Sequence, residues 1–235
     1  MNMQTPSVIL VYRHDDFYVV DKPCGVGFHD ETLETGERQK GFFNLCCEAL
    51  NEELYPVHRL DKITSGLLIL ARNKAAANWF QTAFEQKSIS KLYLALATKK
   101  PKKKQGAIVG DMEKSRGGQW KLMKSRMNPA ITRFFNWGVD VGMTGLRLFL
   151  VRPETGKTHQ IRVALKSAGS AILGDTLYGG VEADRGYLHA YGLKFSYDSL
   201  PVELYLRPAS GTYFSSAFDQ AIDKFDMGFH LNWPK

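Results

Sequence analysis

The chain has 235 residues, of which 44% are hydrophobic and 23% charged, and this composition excludes a wholly disordered protein. Lysine and arginine total 31 against 24 acidic residues, so the net charge of +7 favours a polyanionic partner without proving one. No apolar run approaches the roughly 18 residues of a membrane span, and residues 1–6 lack a secretory pattern. We therefore expect a soluble cytoplasmic protein that does not associate with a membrane.

Hydrophobic periodicity predicts alternating strands and helices in the first half of the chain. The first two strands, 7–12 and 17–21, form a hairpin or a strand-loop-strand unit. A short helix at 42–50, a buried strand at 67–71, an amphipathic helix at 74–87 and an alternating strand at 91–97 follow. In the last strand Tyr93 lies on the opposite face from the leucines, because side chains alternate along a strand.

A basic region follows at residues 99–128, rich in Lys, Arg, Gly and Ser. Beyond its start we expect strands at 119–123, 131–137, 146–151, 193–197 and 202–206, and helices at 157–169 and 213–225. Gly169 is a natural helix stop. Because strands outnumber helices and most turns are short, the fold class is α+β with a mixed, mainly antiparallel sheet. We treat residues 1–235 as a single domain and 99–128 as an insertion or loop region within it.

Cysteine and histidine spacing gives no support to a metal site. Adjacent Cys46 and Cys47 cannot readily pair with each other, and Cys24 completes no C-x-x-C motif, so reduced thiols are expected. The histidines of interest lie in separate segments without H-x-x-x-H spacing: His58, His159 and His189. No metal site is expected.

Polar chemistry is concentrated between residues 58 and 71. His58, Arg59 and Asp61 precede a Thr64-Ser65-Gly66 stretch, which predicts a turn into the buried strand. Polar groups at a turn beside a buried strand are a common arrangement in functional sites. An ordinary structural joint is the alternative.

Four segments then occur in a distinctive order: 19–25 (VVDKPCG), 58–71 (HRLDKITSGLLILA), 91–95 (KLYLA) and 155–162 (TGKTHQIR), the last continuing to 174–179 (GDTLYG). Together they closely resemble the RluA family of pseudouridine synthases, in a short form without the additional N-terminal S4 module. The resemblance implies a long, bent, mainly antiparallel sheet flanked by helices and loops, with a central cleft. It also implies an isomerase (an intramolecular transferase) that converts a specific uridine to pseudouridine in a tRNA or rRNA stem-loop without a cofactor.

The resemblance also assigns roles to residues of the site. Asp61 corresponds to the catalytic aspartate, which could act as a nucleophile or as an electrostatic and general-base partner. Arg162 is similar to the arginine that pairs with this aspartate; it lies off the apolar stripe of its helix and so need not be buried. Tyr93 resembles the tyrosine that stacks on the target base, and cross-strand packing is its alternative role.

Substrate contacts are expected from several further residues. Arg59 is a candidate to fill the gap left by a flipped nucleotide, with a structural or phosphate contact as an equal alternative. His58 belongs to the same segment, where it can instead orient the loop. Leu188 matches an aliphatic position that packs against the base, with a plain core residue as its rival. The cluster Lys102, Lys103 and Lys104 is expected to contact the RNA stem, although charge runs are often only solvated surface.

Two rival functions are weaker. A non-catalytic RNA-binding or ribosome-assembly factor on the same fold would not need Asp61, Tyr93 and Arg162 together. A carboxylate glycosidase would need a second acid, and the sequence offers no convincing one. We expect a monomer whose partner is structured RNA.

Overall fold

The computed structural model describes residues 7–33, 35–223 and 228–235. Residues 1–6, and positions 224 and 225 at the end of the last predicted helix, lie outside the described residues. The chain clusters into two compact units, Met1–Ser88 and Ile89–Lys235, and each unit is described by itself.

The first unit is built on antiparallel strands with two helices. Strand β2 pairs with β1 and with β6, β5 pairs with β6, and β3 pairs with β4. The strands are β1 Ile9–Arg13, β2 Phe17–Lys22, β3 Glu31–Thr32, β4 Arg38–Gln39, β5 Tyr55–Pro56 and β6 Thr64–Ala71, and the helices are α1 Phe42–Leu50 and α2 Lys74–Glu85.

Strand β6 forms the centre of the first unit. All eight of its residues are buried, which accounts for its apolar run without alternation. The predicted turn at Thr64-Ser65-Gly66 is wrong, because these residues are the first three of β6. Strand β2 extends far enough to pair Lys22 with Gly66, and Gly66 takes a φ of 106° that a side chain would strain. The strand therefore begins three residues earlier than its hydrophobicity indicates.

The second unit contains a larger antiparallel sheet. Strands β13, β7, β12, β11 and β8 follow one another across it, β14 pairs with β13, and β9 and β10 form a separate hairpin. The strands are β7 Ser90–Ala97, β8 Gln105–Gly110, β9 Met112–Lys114, β10 Trp120–Leu122, β11 Ala130–Gly138, β12 Arg147–Pro153, β13 Leu188–Tyr197 and β14 Leu200–Tyr205, and the helices are α3 Gln160–Ser167 and α4 Ser216–Asp223.

These antiparallel pairings confirm the predicted α+β class. Strands β8, β9 and β10 lie within residues 99–128, so this basic region is not a continuous loop. That the two units form one catalytic domain stays a prediction. None of the described helices combines the length and apolar character needed to cross a membrane.

Helix α3 begins three residues later than predicted. His159 has a φ of 56°, in the left-handed region, and this backbone geometry cannot belong to the helix that follows. The predicted stop is confirmed, because the helix ends at Ser167 and Gly169 follows with a φ of 81°. Residues 157–159 are consequently a loop that leads into the helix carrying Arg162.

Candidate active site

Asp61 lies at the start of a tight turn that leads into β6. The carbonyl oxygen of Asp61 accepts a hydrogen bond from the backbone N–H of Thr64 at 3.0 Å, which closes the turn over residues 61–64. Thr64 is then the first residue of the buried strand. The half-buried Asp61 side chain therefore lies three residues before a fully buried strand, on a turn that is hydrogen-bonded to the first residue of that strand.

The segment that follows β2 holds this turn in place. This segment donates hydrogen bonds to the carbonyl oxygens of the three residues that follow Asp61. The donors are the Gly25 N–H to Lys62 at 2.8 Å, Cys24 Sγ to Ile63 at 3.0 Å, and Lys22 Nζ to Thr64 at 2.9 Å. Two motifs that lie about 40 residues apart in the sequence are thus joined by these contacts. The contacts restrain the backbone on which Asp61 sits.

Lys22 contributes most to this restraint, because its side chain is fully buried and its Nζ also donates to the carbonyl oxygen of Pro23 at 2.8 Å. We expect Lys22→Met to lower the free energy of unfolding by about 1–3 kcal/mol, since buried carbonyls lose their donor. Urea denaturation measures the change. The control is Lys62→Met, which removes an ion pair with Glu31 whose side chains are 45% and 38% exposed; we expect a loss below about 1 kcal/mol. Equal losses in both variants would contradict the restraint.

His58 and Arg59 precede Asp61 on the same loop. His58 Nε2 accepts a hydrogen bond from the Ile69 N–H at 2.9 Å, and its ring packs 5.0 Å from that of Phe84. These contacts correspond to the loop-orienting alternative for His58. Arg59 is exposed and Leu60 is buried, so the arginine projects towards solvent from an anchored loop.

Tyr93 and Lys91 leave the same face of β7 and are both half-buried. Burial lowers the pKa of Lys91 to about 8, so this amine is far less firmly protonated near neutral pH than an ordinary lysine. A Cβ on Gly156 would lie 3.6 Å from Lys91 Nζ, which places the loop before α3 close to this amine. An amine with a pKa lowered to about 8 thus lies two residues from the predicted stacking tyrosine.

Arg162 is buried, and the expectation that it need not be was wrong. Its guanidinium makes two hydrogen bonds to one carboxylate, from Nε to Asp175 Oδ2 and from Nη2 to Asp175 Oδ1, each of 2.8 Å. The two side chains are only 6% and 1% exposed. A bidentate pair of this kind fixes the plane of the guanidinium and compensates its charge within the second unit. The predicted pairing of Arg162 with Asp61 stays a prediction, because the two residues belong to different units.

Gln160 holds the loop that precedes Arg162. Its Oε1 accepts hydrogen bonds from Thr155 Oγ1 at 2.7 Å and from the Lys157 N–H at 3.0 Å, while its Nε2 donates to the Ile131 carbonyl and to Thr132 Oγ1, both at 3.0 Å. All four positions of the buried amide are therefore used. The loop and the start of α3 are tied to β11.

Comparison with known proteins identifies the family. The model of the RNA pseudouridylate synthase family matches residues 16–167, which include the Asp61 turn, Tyr93 and Arg162. This chain belongs to the RluA family of RNA pseudouridine synthases. Its members are isomerases that act on RNA.

Individual relatives agree with this membership. The chain is 46% identical to an RNA pseudouridine synthase of Haemophilus influenzae over 210 residues, covering 88% of this chain and 90% of the relative. It is 31% identical to the ribosomal large subunit pseudouridine synthase C of Rickettsia bellii over 88% of this chain and 69% of the relative. The solved structure of human RNA pseudouridylate synthase domain containing 1 superposes with a TM-score of 0.74 at 25% identity, covering 94% of this chain and 97% of that one.

The basic cluster of this pseudouridine synthase has a fixed backbone and exposed side chains. Asn136, which is 2% exposed, donates from Nδ2 to the carbonyl oxygens of Lys103 at 2.9 Å and Lys104 at 2.7 Å. Arg147 Nη2 in turn donates to Asn136 Oδ1 at 2.6 Å. The Lys102, Lys103 and Lys104 side chains remain exposed, as phosphate contact requires.

Leu188 and the histidines occupy more structural positions. Leu188 is 2% exposed in the core of the second unit, which is the alternative that the sequence left open. His189 is also buried; its Nε2 lies 2.8 Å from the Leu206 carbonyl oxygen, and burial lowers its pKa to about 4. Within the described ranges, no group of three or more His, Cys, Asp or Glu side chains is placed to hold a metal ion.

Four residues around the site were missed by the sequence reasoning, although each lies in a family motif: Lys22, Lys91, Gln160 and Asp175. Their motif membership was visible, but their partners were not. The importance of each residue depends on a contact with a residue from another segment or on its burial. The spacing of residues in a motif reveals neither the contact nor the burial.

Proposed function

We propose that this pseudouridine synthase isomerises a specific uridine in a tRNA or rRNA stem-loop, with Asp61 as its catalytic aspartate. The observation that carries the proposal is the triply anchored turn, which holds a half-buried carboxylate just before a buried strand. A carboxylate restrained in this way is suited to act at one sugar carbon, because catalysis depends on near-attack geometry. The relative from Rickettsia bellii is named for the large ribosomal subunit, which makes rRNA one of the two candidate substrates.

The reaction requires one carbon–nitrogen bond to break and one carbon–carbon bond to form. The uracil N1–C1′ bond is cleaved, the base turns, C5 bonds to C1′, C5 loses its proton and N1 gains one. Asp61 can attack C1′ or can stabilise charge and accept a proton, and both routes need an ionised carboxylate. Tyr93 stacks on the base in this proposal, and Arg162 supplies the positive charge that complements Asp61.

Arg59 has a separate role in the proposal, since the target base must leave its stack before it can react. Unstacking costs a few kcal/mol, and a planar cation that occupies the vacated space offsets part of this cost. The exposure of Arg59 on a loop anchored by His58 supports this assignment. We also propose that the protein is a cytoplasmic monomer. Light scattering tests its oligomeric state, and cell fractionation tests its compartment.

The test is to delete the gene and map pseudouridines across total tRNA and rRNA by chemical adduct formation and primer extension. We expect one site to disappear, to return with the wild-type gene, and to stay absent with Asp61→Asn. If every site persists after deletion, and the purified protein converts no candidate RNA, the enzyme proposal fails. RNA binding without conversion would instead favour the non-catalytic RNA-binding factor.

The basic cluster supplies a quantitative prediction. Replacing Lys102, Lys103 and Lys104 with Ala should weaken RNA binding and flatten its salt dependence, because each phosphate contact releases counterions. The slope of log K against log salt should fall in magnitude by roughly 2–3 for three contacts. Filter binding or fluorescence anisotropy at several salt concentrations measures this slope.

A matched variant separates local contact from overall charge. Lys40, Lys74 and Lys87 are exposed lysines of the first unit, and their triple replacement by Ala changes the net charge equally. We expect this variant to keep most of the wild-type slope. An unchanged slope in the first triple variant, or equal slopes in both, would contradict an RNA contact at residues 102–104.

A further inference from the structure

The hydroxyl group of Tyr178 joins two parts of the second unit. Its Oη accepts a hydrogen bond from the backbone N–H of Trp120 at 2.8 Å, and it lies 2.9 Å from His159 Nδ1. Trp120 begins β10 of the hairpin, and His159 immediately precedes α3. Tyr178 is 2% exposed, so these contacts are shielded from water.

The hydroxyl group of Tyr178 can serve its two contacts in different roles. Because Oη accepts the Trp120 N–H, the hydroxyl hydrogen is available to His159 Nδ1. The imidazole accepts it when Nδ1 carries no proton, which leaves its hydrogen on Nε2. One phenol group thus links the hairpin to the loop before α3, accepting from the first and hydrogen-bonded to the second.

The ring of Tyr178 also faces the cations of α3. Arg162 Cζ lies 4.9 Å and Lys166 Nζ 5.5 Å from the ring centroid, both within the range of a cation–π contact. Asp175, which begins the same short segment, holds the guanidinium of Arg162 by its two hydrogen bonds. Residues 175–178 therefore hold Arg162 in two ways: Asp175 pairs with its charge, and the ring of Tyr178 packs against its guanidinium.

The hairpin reached by Tyr178 carries exposed positive charge. Strands β9 and β10 pair with each other as a separate two-stranded sheet. The exposed cations of the hairpin Met112–Leu122 are Lys114, Arg116 and Lys121, of which Lys121 lies 3.3 Å from the Glu113 carboxylate. A basic, two-stranded element of this kind suits the sugar–phosphate backbone, and its position relative to α3 depends on its attachments.

We propose that Tyr178 is a positioning residue that aligns the hairpin Met112–Leu122 with the start of α3, so that RNA held by the hairpin is in register with Arg162. This inference rests on the proposed function. Misalignment of a bound substrate by about 1 Å can cost on the order of 100-fold in rate. The alignment should therefore appear in the chemical step on RNA and not only in binding.

The test is a double-mutant cycle measured by single-turnover conversion of the RNA at saturating enzyme. Tyr178→Phe removes the hydroxyl and keeps the ring beside Arg162. The second change, Lys114→Ser with Arg116→Ser, removes charge from the hairpin. In the wild-type background, we expect Tyr178→Phe to slow the reaction about tenfold or more. In the Lys114→Ser, Arg116→Ser background, the same substitution should slow the reaction less than twofold, because the effects of coupled sites are not additive.

The matched control is Tyr187→Phe. Its hydroxyl also accepts a backbone N–H, from Tyr213 at 3.1 Å, and donates to a side chain, Asp184 Oδ1, at 2.6 Å. We expect this variant to keep the wild-type rate. Urea denaturation of each variant shows that the measured rates belong to folded protein.

Two results would overturn the proposal. One is a Tyr178→Phe enzyme as fast as the wild type, and the other is an equal slowing in the presence and absence of the hairpin charges. The wild-type protein is measured on the same RNA, so its failure to convert that RNA counts against pseudouridine synthesis itself. The amide of Trp120 should also exchange hydrogen faster in Tyr178→Phe, a readout that needs no RNA.

Discussion

Replacing Asp61 with asparagine should lower the single-turnover rate of pseudouridine formation by on the order of 10⁴-fold or more, while RNA binding changes little. The change keeps the size of the side chain and removes the charge that either catalytic route requires. The anchors of the turn are backbone carbonyl oxygens, so they remain in place when the side chain changes. Quenched conversion of a radiolabelled uridine substrate measures the rate, and anisotropy measures binding.

A matched control tests whether the loss is specific to this carboxylate. Asp198→Asn makes the same chemical change at an exposed turn residue with a φ of 45°, a conformation that asparagine tolerates. We expect this variant to keep the wild-type rate. Residual activity of Asp61→Asn within tenfold of the wild type would show that Asp61 is not the catalytic group.

The sequence predicted the regular elements best where local signals agreed. Helix α1 occupies Phe42–Leu50, the predicted range, because its apolar residues repeat at helical spacing. Strand β6 was placed too late, since Thr64 and Ser65 are polar yet buried at 2% and 5% exposure. Their burial depends on pairing with β2 and cannot be read from their own polarity.

The residues of the candidate site were likewise predicted where local signals sufficed and missed where burial depends on another segment. The order of motifs indicated Asp61, Tyr93 and Arg162, but helical periodicity placed Arg162 away from the core. Its burial depends on Asp175, 13 residues further along the chain, whose carboxylate compensates the guanidinium. Spacing along one helix describes which face a residue occupies and carries no information about a partner from another segment.

Asp175→Asn should produce the largest loss of stability among these predictions. It leaves a guanidinium with 6% exposure without its compensating carboxylate, and a broken buried pair of this kind costs about 3–5 kcal/mol. We therefore expect the free energy of unfolding of the full chain to fall by this amount in urea denaturation. The activity should fall as well, because Arg162 loses the bidentate contact that fixes its plane.

Two comparisons show whether this loss arises from an uncompensated charge. Asp219→Asn removes one carboxylate from an ion pair with Arg207 whose side chains are 41% and 46% exposed, and it should cost less than about 1 kcal/mol. The double variant Arg162→Leu with Asp175→Leu removes both charges and should recover much of the stability lost in Asp175→Asn, because apolar replacement of a buried pair is often neutral. It should remain inactive, since the cation proposed to act with Asp61 is gone. If the double variant is as unstable as Asp175→Asn alone, the pair stabilises the fold through specific packing and not through charge compensation.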